Sequence, residues 1–438
     1  MDRNKKIGFF LIVIAGLLIA VATRHRDPAT EESVEELPPV RLNEVLTNEL
    51  SDTSTLAGLD RKVIRYMRDW GLHGAQLSVM RGDSLLYAKG YGAADDTLAM
   101  QPSNIMRVAS VSKLITAAGI MVLQERDSLN IHDKVFGPDG ILNDSLITAS
   151  IIDTGRYYRI TVEDLMRHKG GFGGSDPMFH TANIIREYGL SSPPDPVSLT
   201  RIVMRRKPRF MPGTDHQRYS NFGYLLLSMV IEKVTGQDYE TFMKENVLEP
   251  AGCFDMHIAE NFYQDKYPGE TRYYVPDDDE MVEAYNGSGE MTVKCYGGND
   301  VRSLLGAGAW VTSCAELARF VASIDGRPEV PDILSPESVA QMTEYFDERT
   351  YSLGWNDTNP EHGWTRTGTF AGTTALIKYF PDGECWIFMS NTSTWRGPGL
   401  ARYTATLFDE LRQAYSGSFP ARDLFSTRLL ENSEEEEE

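Results

Sequence analysis

One almost entirely apolar segment with a lysine inside it constrains this chain more than any other feature. Residues 107–125 read RVASVSKLITAAGIMVLQE, and this pattern predicts a helix with apolar side chains on most of its faces. Such a helix is buried, and a buried ammonium group is costly unless it is paired or neutralised. Lys113 therefore requires a chemical explanation.

Ser110 offers that explanation, because it precedes Lys113 by one helical turn on the same face. The two residues predict a nucleophile beside a base, and the free N–H groups of the helix N-terminus predict a place that stabilises an oxyanion. A serine and a lysine at this spacing also occur by chance. In the alternative interpretation, Ser110 only caps the helix and Lys113 extends to solvent.

A second candidate segment, Tyr219-Ser220-Asn221, lies between a polar loop and an apolar helix. A phenol near a lysine cation has its anionic form favoured, which makes Tyr219 a candidate proton carrier. Asn221 offers both a donor and an acceptor to a substrate amide. Alternatively, Asn221 caps the helix and Tyr219 only packs.

The third candidate segment stands directly before a predicted pair of strands and consists of Arg366, Thr367, Gly368 and Thr369. At the start of an inner strand, the cation, the hydroxyl and the glycine would let a substrate backbone or carboxylate lie against the sheet edge. The Thr369 N–H would act as a second oxyanion donor. An ordinary surface arginine near a turn is the alternative interpretation.

The charge and the cysteines exclude several classes of ligand. A net charge of −20 over 438 residues argues against nucleic acid and anionic membrane as partners. The four cysteines lack both Cys-x-x-Cys spacing and nearby histidines at zinc-ligand spacing: Cys253, Cys295, Cys314 and Cys385. We therefore expect no metal and no cofactor, and we take buried free thiols as the default.

Composition divides the chain into four segments. Residues 1–26 combine a basic start with an apolar run, which predicts an export signal, either a cleaved signal peptide or a retained membrane anchor. Residues 27–50 are acidic and rich in proline and predict a linker, residues 51–415 carry the folded domain, and residues 416–438 end in an acidic tail. We expect a periplasmic or extracytoplasmic protein that contacts a membrane only through its N-terminal segment.

The predicted elements favour an α+β fold. Residues 76–80 and 85–89 predict one strand hairpin, and residues 373–379 and 385–390 predict another around Pro-Asp-Gly. The residues between these hairpins predict mainly helices. We therefore expect an α/β sandwich, with an antiparallel sheet built from N- and C-terminal strands, flanking helices and an inserted, mainly helical lobe.

The three motifs in this order resemble the penicillin-recognising serine hydrolases, and in particular the branch of class C β-lactamases, D-Ala-D-Ala carboxypeptidases and related esterases. The resemblance runs from about residue 75 to residue 411 and implies a β-lactamase/transpeptidase-like fold. It rests on RVASVSKLITAAGIMVLQERDSLNIHDKV, ITVEDLMRHKGGFGG, MPGTDHQRYSNFGYLLLSMVIEKVTG, GAGAWVTSCAELARF and TRTGTFAGTTALIKYFPDG.

The resemblance also implies roles for the candidate residues. Ser110 would be the acyl-accepting nucleophile, and Lys113 the base or proton relay beside it. Tyr219 would activate the deacylating water, and Asn221 would bind a substrate amide. Residues 366–369 stand where the family has Lys-Thr-Gly or His-x-Gly; an arginine there departs from the pattern because it keeps its proton and presents a planar fork. This departure affects β-lactam turnover more than acyl-enzyme chemistry.

Two functions are consistent with these features. The first is an exported serine hydrolase that acts through a Ser110 acyl-enzyme on an ester or amide, with D-amino-acid peptides and β-lactams among the small-molecule or peptide substrates considered. The alternative is a catalytically weak or inactive protein that binds or senses cell-wall peptides or a protein partner. Ser110, Lys113 and Tyr219 favour the hydrolase, whereas Arg366 keeps the alternative open. The sequence indicates no oligomeric state.

Overall fold

Six antiparallel strands form the central sheet of the computed structural model, which describes residues 39–173, 176–276 and 281–428. The strands of the described residues, in chain order, are β1 Gly74–Arg81, β2 Ser84–Asp95, β3 Leu98–Ala99, β4 Met106–Arg107, β5 His257–Ile258, β6 Met281–Glu283, β7 Met291–Val293, β8 Trp310–Thr312, β9 Trp364–Phe370, β10 Thr373–Tyr379 and β11 Glu384–Ser390. The order in the central sheet is β3-β2-β1-β11-β10-β9. Because β1 pairs with β11, the N-terminal and C-terminal strands meet in the middle of the sheet.

Two smaller sheets, β4-β8-β5 and β6-β7, lie in the part of the chain between β3 and β9. That part is otherwise mainly helical. The α-helices of the described residues span Leu42–Val45, Ala57–Trp70, Ser112–Glu125, Ser145–Thr148, Thr154–Tyr157, Val162–Met166, Thr181–Tyr188, Pro196–Met204, Asn221–Thr235, Tyr239–Met243, Cys314–Ala322, Pro336–Met342 and Leu400–Tyr415. The predicted architecture of a terminal-strand sheet with an inserted helical lobe is confirmed.

Side chains alternate across the central sheet and so divide the core into two layers. On β11, Trp386 and Phe388 face the layer covered by the helices Ala57–Trp70 and Leu400–Tyr415. Ile387 and its alternating neighbours face the larger core, which contains the helical lobe.

Two helices of the larger core carry the candidate residues. All side chains from Ser112 to Leu123 are buried in the helix Ser112–Glu125, which confirms the prediction of a helix buried on most sides. The helix Asn221–Thr235 is equally apolar and contacts it. The site is therefore built on two helices whose positions are set by core packing.

The structure corrects the predicted linker of residues 27–50 at its C-terminal end. The short helix Leu42–Val45 packs on the larger core, with Leu42 2% exposed and Leu46 3% exposed. Two leucines four residues apart bury enough apolar surface to order a segment whose overall composition is acidic. The folded part therefore begins near Val40 rather than near residue 51.

The predicted tail of residues 416–438 needs a similar correction. Phe419, Leu424 and Phe425 are buried, and the Asp423 carboxylate accepts a hydrogen bond from the Leu85 backbone N–H. The predicted acidic run at the end of the tail lies outside the described residues, as does the predicted export signal of residues 1–26. In the stretches that the structure describes, no helix is both long enough and apolar enough to cross a bilayer.

The four cysteines, Cys253, Cys295, Cys314 and Cys385, are buried, and Cys253, Cys314 and Cys385 are free thiols. Burial in apolar surroundings raises the pKa of the Cys314 thiol to about 12, so this thiol stays protonated and unreactive at neutral pH.

Candidate active site

Ser110 lies in a strained turn at the start of the helix Ser112–Glu125. The turn Ala109–Val111 is a 3-10 helix, and Ala109 has a φ of 46°, in the left-handed region that residues with a Cβ rarely adopt. The Val108 N–H donates to the Trp310 carbonyl at 3.0 Å and ties this turn to β8. The turn places the Ser110 side chain in the wall of a cavity.

Lys113 is completely buried, and its Nζ contacts three oxygen acceptors. It donates to Ser110 Oγ at 3.2 Å, to Asn221 Oδ1 at 2.7 Å and to the Ala307 carbonyl at 2.5 Å. These acceptors match the three N–H donors of an ammonium group. Lys113 therefore does not extend to solvent, and that alternative interpretation is wrong.

The pKa of Lys113 lies close to neutral pH. Burial lowers the pKa of Lys113 to about 8; Tyr219 opposes this change and the charge of Arg366 assists it. The amine can thus hold or release a proton near physiological pH.

Tyr219 contacts the same serine oxygen from another direction. Its Oη lies 2.6 Å from Ser110 Oγ, and Lys113 Nζ lies 4.8 Å from the centre of its ring. Burial raises the pKa of Tyr219, but the two neighbouring cations, Lys113 and Arg366, outweigh burial and leave this pKa below its usual value of 10. The phenolate is thus easier to form here than on an isolated tyrosine.

Asn221 does not act as the helix cap, because Ser220 does. The Ser220 Oγ accepts the Gly223 N–H at 3.1 Å, which satisfies a free donor of the first turn of the helix Asn221–Thr235. The Asn221 side chain is left to face Lys113 and to line the cavity beside Ser110.

Two side chains that sequence reasoning did not assign to the site, the half-buried Asp176 and the buried His168, hold this segment in place. The Asp176 carboxylate accepts the backbone N–H groups of Asn221 at 2.7 Å and Phe222 at 3.2 Å, an anion at the positive end of a helix. The His168 Nδ1 accepts the Ser220 N–H at 3.2 Å. Burial and the nearby cations lower the pKa of His168 well below its usual range, so this ring is a neutral acceptor.

Sequence patterns carried no signal for Asp176, which lies 45 positions before Asn221 in a loop. A loop aspartate is common, and only the folded chain brings this one to a helix terminus. No sequence motif recommends His168 as a site residue; in the structure it follows the capped helix Val162–Met166.

Arg366 does not line the cavity, although the sequence predicts that it binds substrate. Its side chain is 1% exposed, and its Nε donates to the Ser110 carbonyl oxygen at 2.8 Å, with Nη2 donating to the same atom. The guanidinium therefore lies behind the Ser110 turn, outside the cavity. Its fixed charge acts on Tyr219 and Lys113 through space.

The predicted inner-strand position of residues 366–369 is also wrong, because β9 is the edge strand of the central sheet. Arg366 and Gly368 point to the buried side, whereas Thr367 and Thr369 line the cavity. The backbone donors on the outer edge of such a strand have no partner within the sheet, so they bind loop residues or a ligand.

The backbone alternation along β9 gives the direction of the Thr369 N–H. Thr365 N donates to Asp357 O at 2.8 Å, and Thr367 N donates to Asn356 Oδ1 at 2.7 Å, both on the outer edge of the strand. Because donor direction repeats every second residue, the Thr369 N–H also points to this edge.

Gly368 allows β9 to approach the Ser110 turn. A Cβ on Gly368 would lie 2.1 Å from Val108 O and 3.1 Å from Ser110 N. Only a glycine fits this gap, and the close approach brings the Ser110 and Thr369 N–H groups to the same end of the cavity.

The resulting cavity has a volume of about 310 Å³. Its polar lining includes Ser110, Tyr219, Asn221, Asn356, Thr367 and Thr369, and its apolar lining includes Phe179, Leu304, Phe370 and Pro398. No group of three His, Cys, Asp or Glu side chains in the described ranges is arranged to hold a metal ion. The arrangement places a hydroxyl, a phenol and an amide at one small cavity, with the Lys113 amine in contact with the hydroxyl.

Comparisons with known proteins support the fold described above. The Beta-lactamase family model matches residues 59–408. The curated protein "Penicillin-binding protein 4*" of Bacillus subtilis (strain 168) is 25% identical over 340 residues, which cover 73% of this chain and 68% of the relative.

Solved structures of similar fold include the octameric penicillin-binding protein homologue from Pyrococcus abyssi, which has a TM-score of 0.60 and 22% identity. The match covers 81% of this chain and 77% of the homologue. The D-amino acid amidase from Ochrobactrum anthropi SV3 complexed with D-phenylalanine has a TM-score of 0.60 and 18% identity, and the match covers 84% of this chain and all of the amidase. At these identities the structural likenesses show the fold alone.

Proposed function

This chain belongs to the Beta-lactamase family, and on that premise we propose that it is a serine hydrolase that forms an acyl-enzyme at Ser110 and hydrolyses an ester or an amide. The observation that carries the proposal is the Ser110 Oγ, which lies within hydrogen-bond distance of both Tyr219 Oη and Lys113 Nζ. A serine hydroxyl is a weak nucleophile unless an adjacent group takes its proton.

Acylation begins with a proton transfer from Ser110 Oγ to the phenolate form of Tyr219 over the 2.6 Å contact. Lys113 remains an ammonium group, because its three acceptors favour the protonated form, and it stabilises the phenolate electrostatically. The Ser110 oxygen then bonds to the substrate carbonyl carbon. When the tetrahedral intermediate collapses, the bond to the leaving group breaks and the leaving group takes the proton from Tyr219.

The carbonyl oxygen becomes an oxyanion during this attack. The Ser110 and Thr369 N–H groups at one end of the cavity are the two donors that receive it. Removing one donor of such a pair typically lowers kcat by about 10²- to 10³-fold. In deacylation, Tyr219 takes a proton from water, the hydroxide attacks the acyl carbon, and the Ser110 oxygen leaves with that proton.

The substrate class follows from the groups that line the cavity. Asn221 and the outer edge of β9 offer hydrogen bonds to an amide, which suits a peptide or amino-acid amide. Arg366 is held by the Ser110 carbonyl, and the described residues that line the cavity include no arginine or lysine to pair with a substrate carboxylate. This supports esters and amides over β-lactams.

We also propose that the protein is exported and works outside the cytoplasm. The basic start and apolar run of residues 1–26 support export, as a cleaved signal or as a membrane anchor.

A binding protein without turnover is the second candidate function, and one observation favours it. The Arg366 guanidinium, which keeps its charge, donates to the Ser110 carbonyl. The family pattern has a lysine or a histidine at this position, and both of these can lose a proton. Such a protein would bind cell-wall peptides or a protein partner in the same cavity.

A fluorophosphonate probe separates the two candidates. We expect covalent labelling of the wild-type protein, no labelling of Ser110→Ala, and full labelling of Ser128→Ala, a matched change at an exposed serine. Hydrolysis of p-nitrophenyl esters, D-Ala-D-Ala peptides and a chromogenic cephalosporin then identifies the substrate class. An unlabelled wild-type protein that hydrolyses none of these would favour the binding protein.

A further inference from the structure

A second cavity, of about 350 Å³, lies on the other side of the Tyr219 segment from Ser110. It shares Tyr219 with the catalytic cavity but does not include Ser110. We infer that this cavity binds a small anionic amphiphile, a molecule with one acidic head group and an apolar chain or ring. The inference goes beyond the proposed hydrolase function, because it concerns a ligand that is not the acylating substrate.

The floor of the second cavity is apolar. It is formed by Tyr157, Phe172, Ile184, Ile202, Val203 and Phe222. Ligand cavities of this size are typically lined by apolar and aromatic side chains with a few charged groups that fix orientation. The floor therefore suits a hydrocarbon chain or ring of about ten carbon atoms.

The rim of the second cavity is cationic. Arg206, Lys207 and Arg209 lie in the exposed turn that follows the helix Pro196–Met204 and line the cavity. This concentration of positive charge stands out in a chain whose net charge is −20. A local cationic rim attracts an anion in spite of the overall charge, because the nearest charges dominate at physiological salt.

Two of these cations have no competing partner. Among the described residues, no carboxylate lies within ion-pair distance of Lys207 or Arg209, whereas Arg206 lies 3.6 Å from Glu187. The side chains of Arg206 and Glu187 are 65% and 59% exposed, so this pair is weak and easily exchanged for a ligand. The acid inside the cavity, Asp176, already accepts two backbone N–H groups.

Hydrogen bonds to the backbone of the rim hold it in place before a ligand arrives. The Tyr157 hydroxyl donates to the Arg206 carbonyl at 2.8 Å, and Arg156 Nη1 donates to the Pro208 carbonyl at 2.8 Å. The Arg209 N–H donates to the Gly171 carbonyl at 2.9 Å. Pre-organisation of this kind reduces the ordering cost of binding.

Binding in the second cavity is measured directly with decanoate, a monoanion with an apolar chain, by isothermal titration calorimetry of the full chain. We expect saturable binding of decanoate and much weaker binding of decanol, which lacks the charge. In Lys207→Glu/Arg209→Glu the decanoate dissociation constant should rise about tenfold or more, because two charge-assisted contacts become repulsive. Val203→Trp, which fills the floor, should weaken decanoate and decanol alike.

The control is Arg61→Glu/Arg65→Glu, which makes the same change of charge at exposed positions on the helix Ala57–Trp70, across the central sheet. It should leave the dissociation constant unchanged within about twofold. The inference is overturned if the wild-type protein does not bind decanoate, or if the rim variant binds it as tightly as the control does. Since none of these measurements uses hydrolysis, their failure leaves the proposed function untouched.

Discussion

Lys113 and Tyr219 share a site in which burial and charge act in opposite directions on each group. Burial disfavours the ammonium form of Lys113 and the phenolate form of Tyr219, but each ion favours the other. The phenol and the amine are both within hydrogen-bond distance of the Ser110 oxygen.

The pH dependence of kcat/KM tests whether Lys113 must be protonated for hydrolysis. The pKa of Lys113 is about 8, so its ammonium form is present below this pH and is lost above it. If Lys113 must be protonated to hold the Tyr219 phenolate, kcat/KM falls as the pH rises through about 8. Lys113→Arg keeps a cation that does not titrate in this range, so its profile should lack this fall.

The measurement is a series of initial rates with a p-nitrophenyl ester between pH 6 and about 10, corrected for spontaneous hydrolysis. A rate that instead rises through pH 8 to a plateau would contradict this expectation.

Gly368→Ala tests the close approach of β9 to the Ser110 turn. The added Cβ would lie 2.1 Å from Val108 O, so the strand must move outward and withdraw the Thr369 N–H from the oxyanion. We expect kcat to fall by about 10²- to 10³-fold with a smaller change in KM. Gly417→Ala, where an added Cβ meets no atom within 4 Å, should keep wild-type kinetics; equal kinetics for both variants would contradict the oxyanion assignment.

At the scale of elements, the Leu400–Tyr415 helix is joined to the sheet through one buried carboxylate on β11. Glu384 accepts Arg412 Nε at 2.8 Å and Arg81 Nη2 at 2.6 Å, and its side chain is 3% exposed. Burial raises the pKa of Glu384, but these donors, with Ser416 and Trp386, outweigh burial and lower the pKa to about 2.

Glu384→Gln should therefore destabilise the protein by about 3 kcal/mol at pH 7, because Arg81 loses its counter-charge and Arg412 keeps only the exposed Asp382. The carboxylate contribution is complete above the unfolded-state pKa near 4.5 and is lost as the pH falls toward the folded-state pKa of about 2. The difference in urea midpoint between the variant and the wild type should thus shrink across this window.

Glu410→Gln is the matched control on the same helix. Its carboxylate is 61% exposed and lies 3.8 Å from Lys62, so the change should cost less than about 1 kcal/mol. A Glu384→Gln variant as stable as this control would show that the buried carboxylate does not fasten the helix.

At the scale of the whole molecule, residues on both sides of the predicted domain complete the larger core. Leu42→Ala should lower the free energy of unfolding by about 2–5 kcal/mol, because the leucine is 2% exposed and its removal leaves a cavity. Leu98→Ala, at a 63% exposed position, should change it by less than about 0.5 kcal/mol. Urea unfolding measures the free energy of unfolding of both variants. A Leu42→Ala variant as stable as the wild type would show that residues 40–50 are a linker and not part of the folded domain.

The architecture could be predicted because its signals are local. A helix that is apolar on most sides must be buried, and Pro-Asp-Gly between two predicted strands must turn, wherever the chain is later packed. The pairing of Ser110 with Lys113 belongs to the same class, since one turn of a helix sets their separation. Tyr219 and Asn221 could be nominated from chemistry, but their contact with Ser110 and Lys113 could not be.

The tertiary structure alone decided the features that join segments distant in sequence. The edge position of β9, the attachment of Arg366 to the Ser110 carbonyl and the Asp176 carboxylate at a helix terminus each depend on which surfaces pack together. Periodicity and turn chemistry report only on neighbours along the chain, whereas packing depends on the shape and burial of the whole core. The sequence thus determined which residues are chemically able to form the site, and the packing decided which of them face the substrate and which stand behind it.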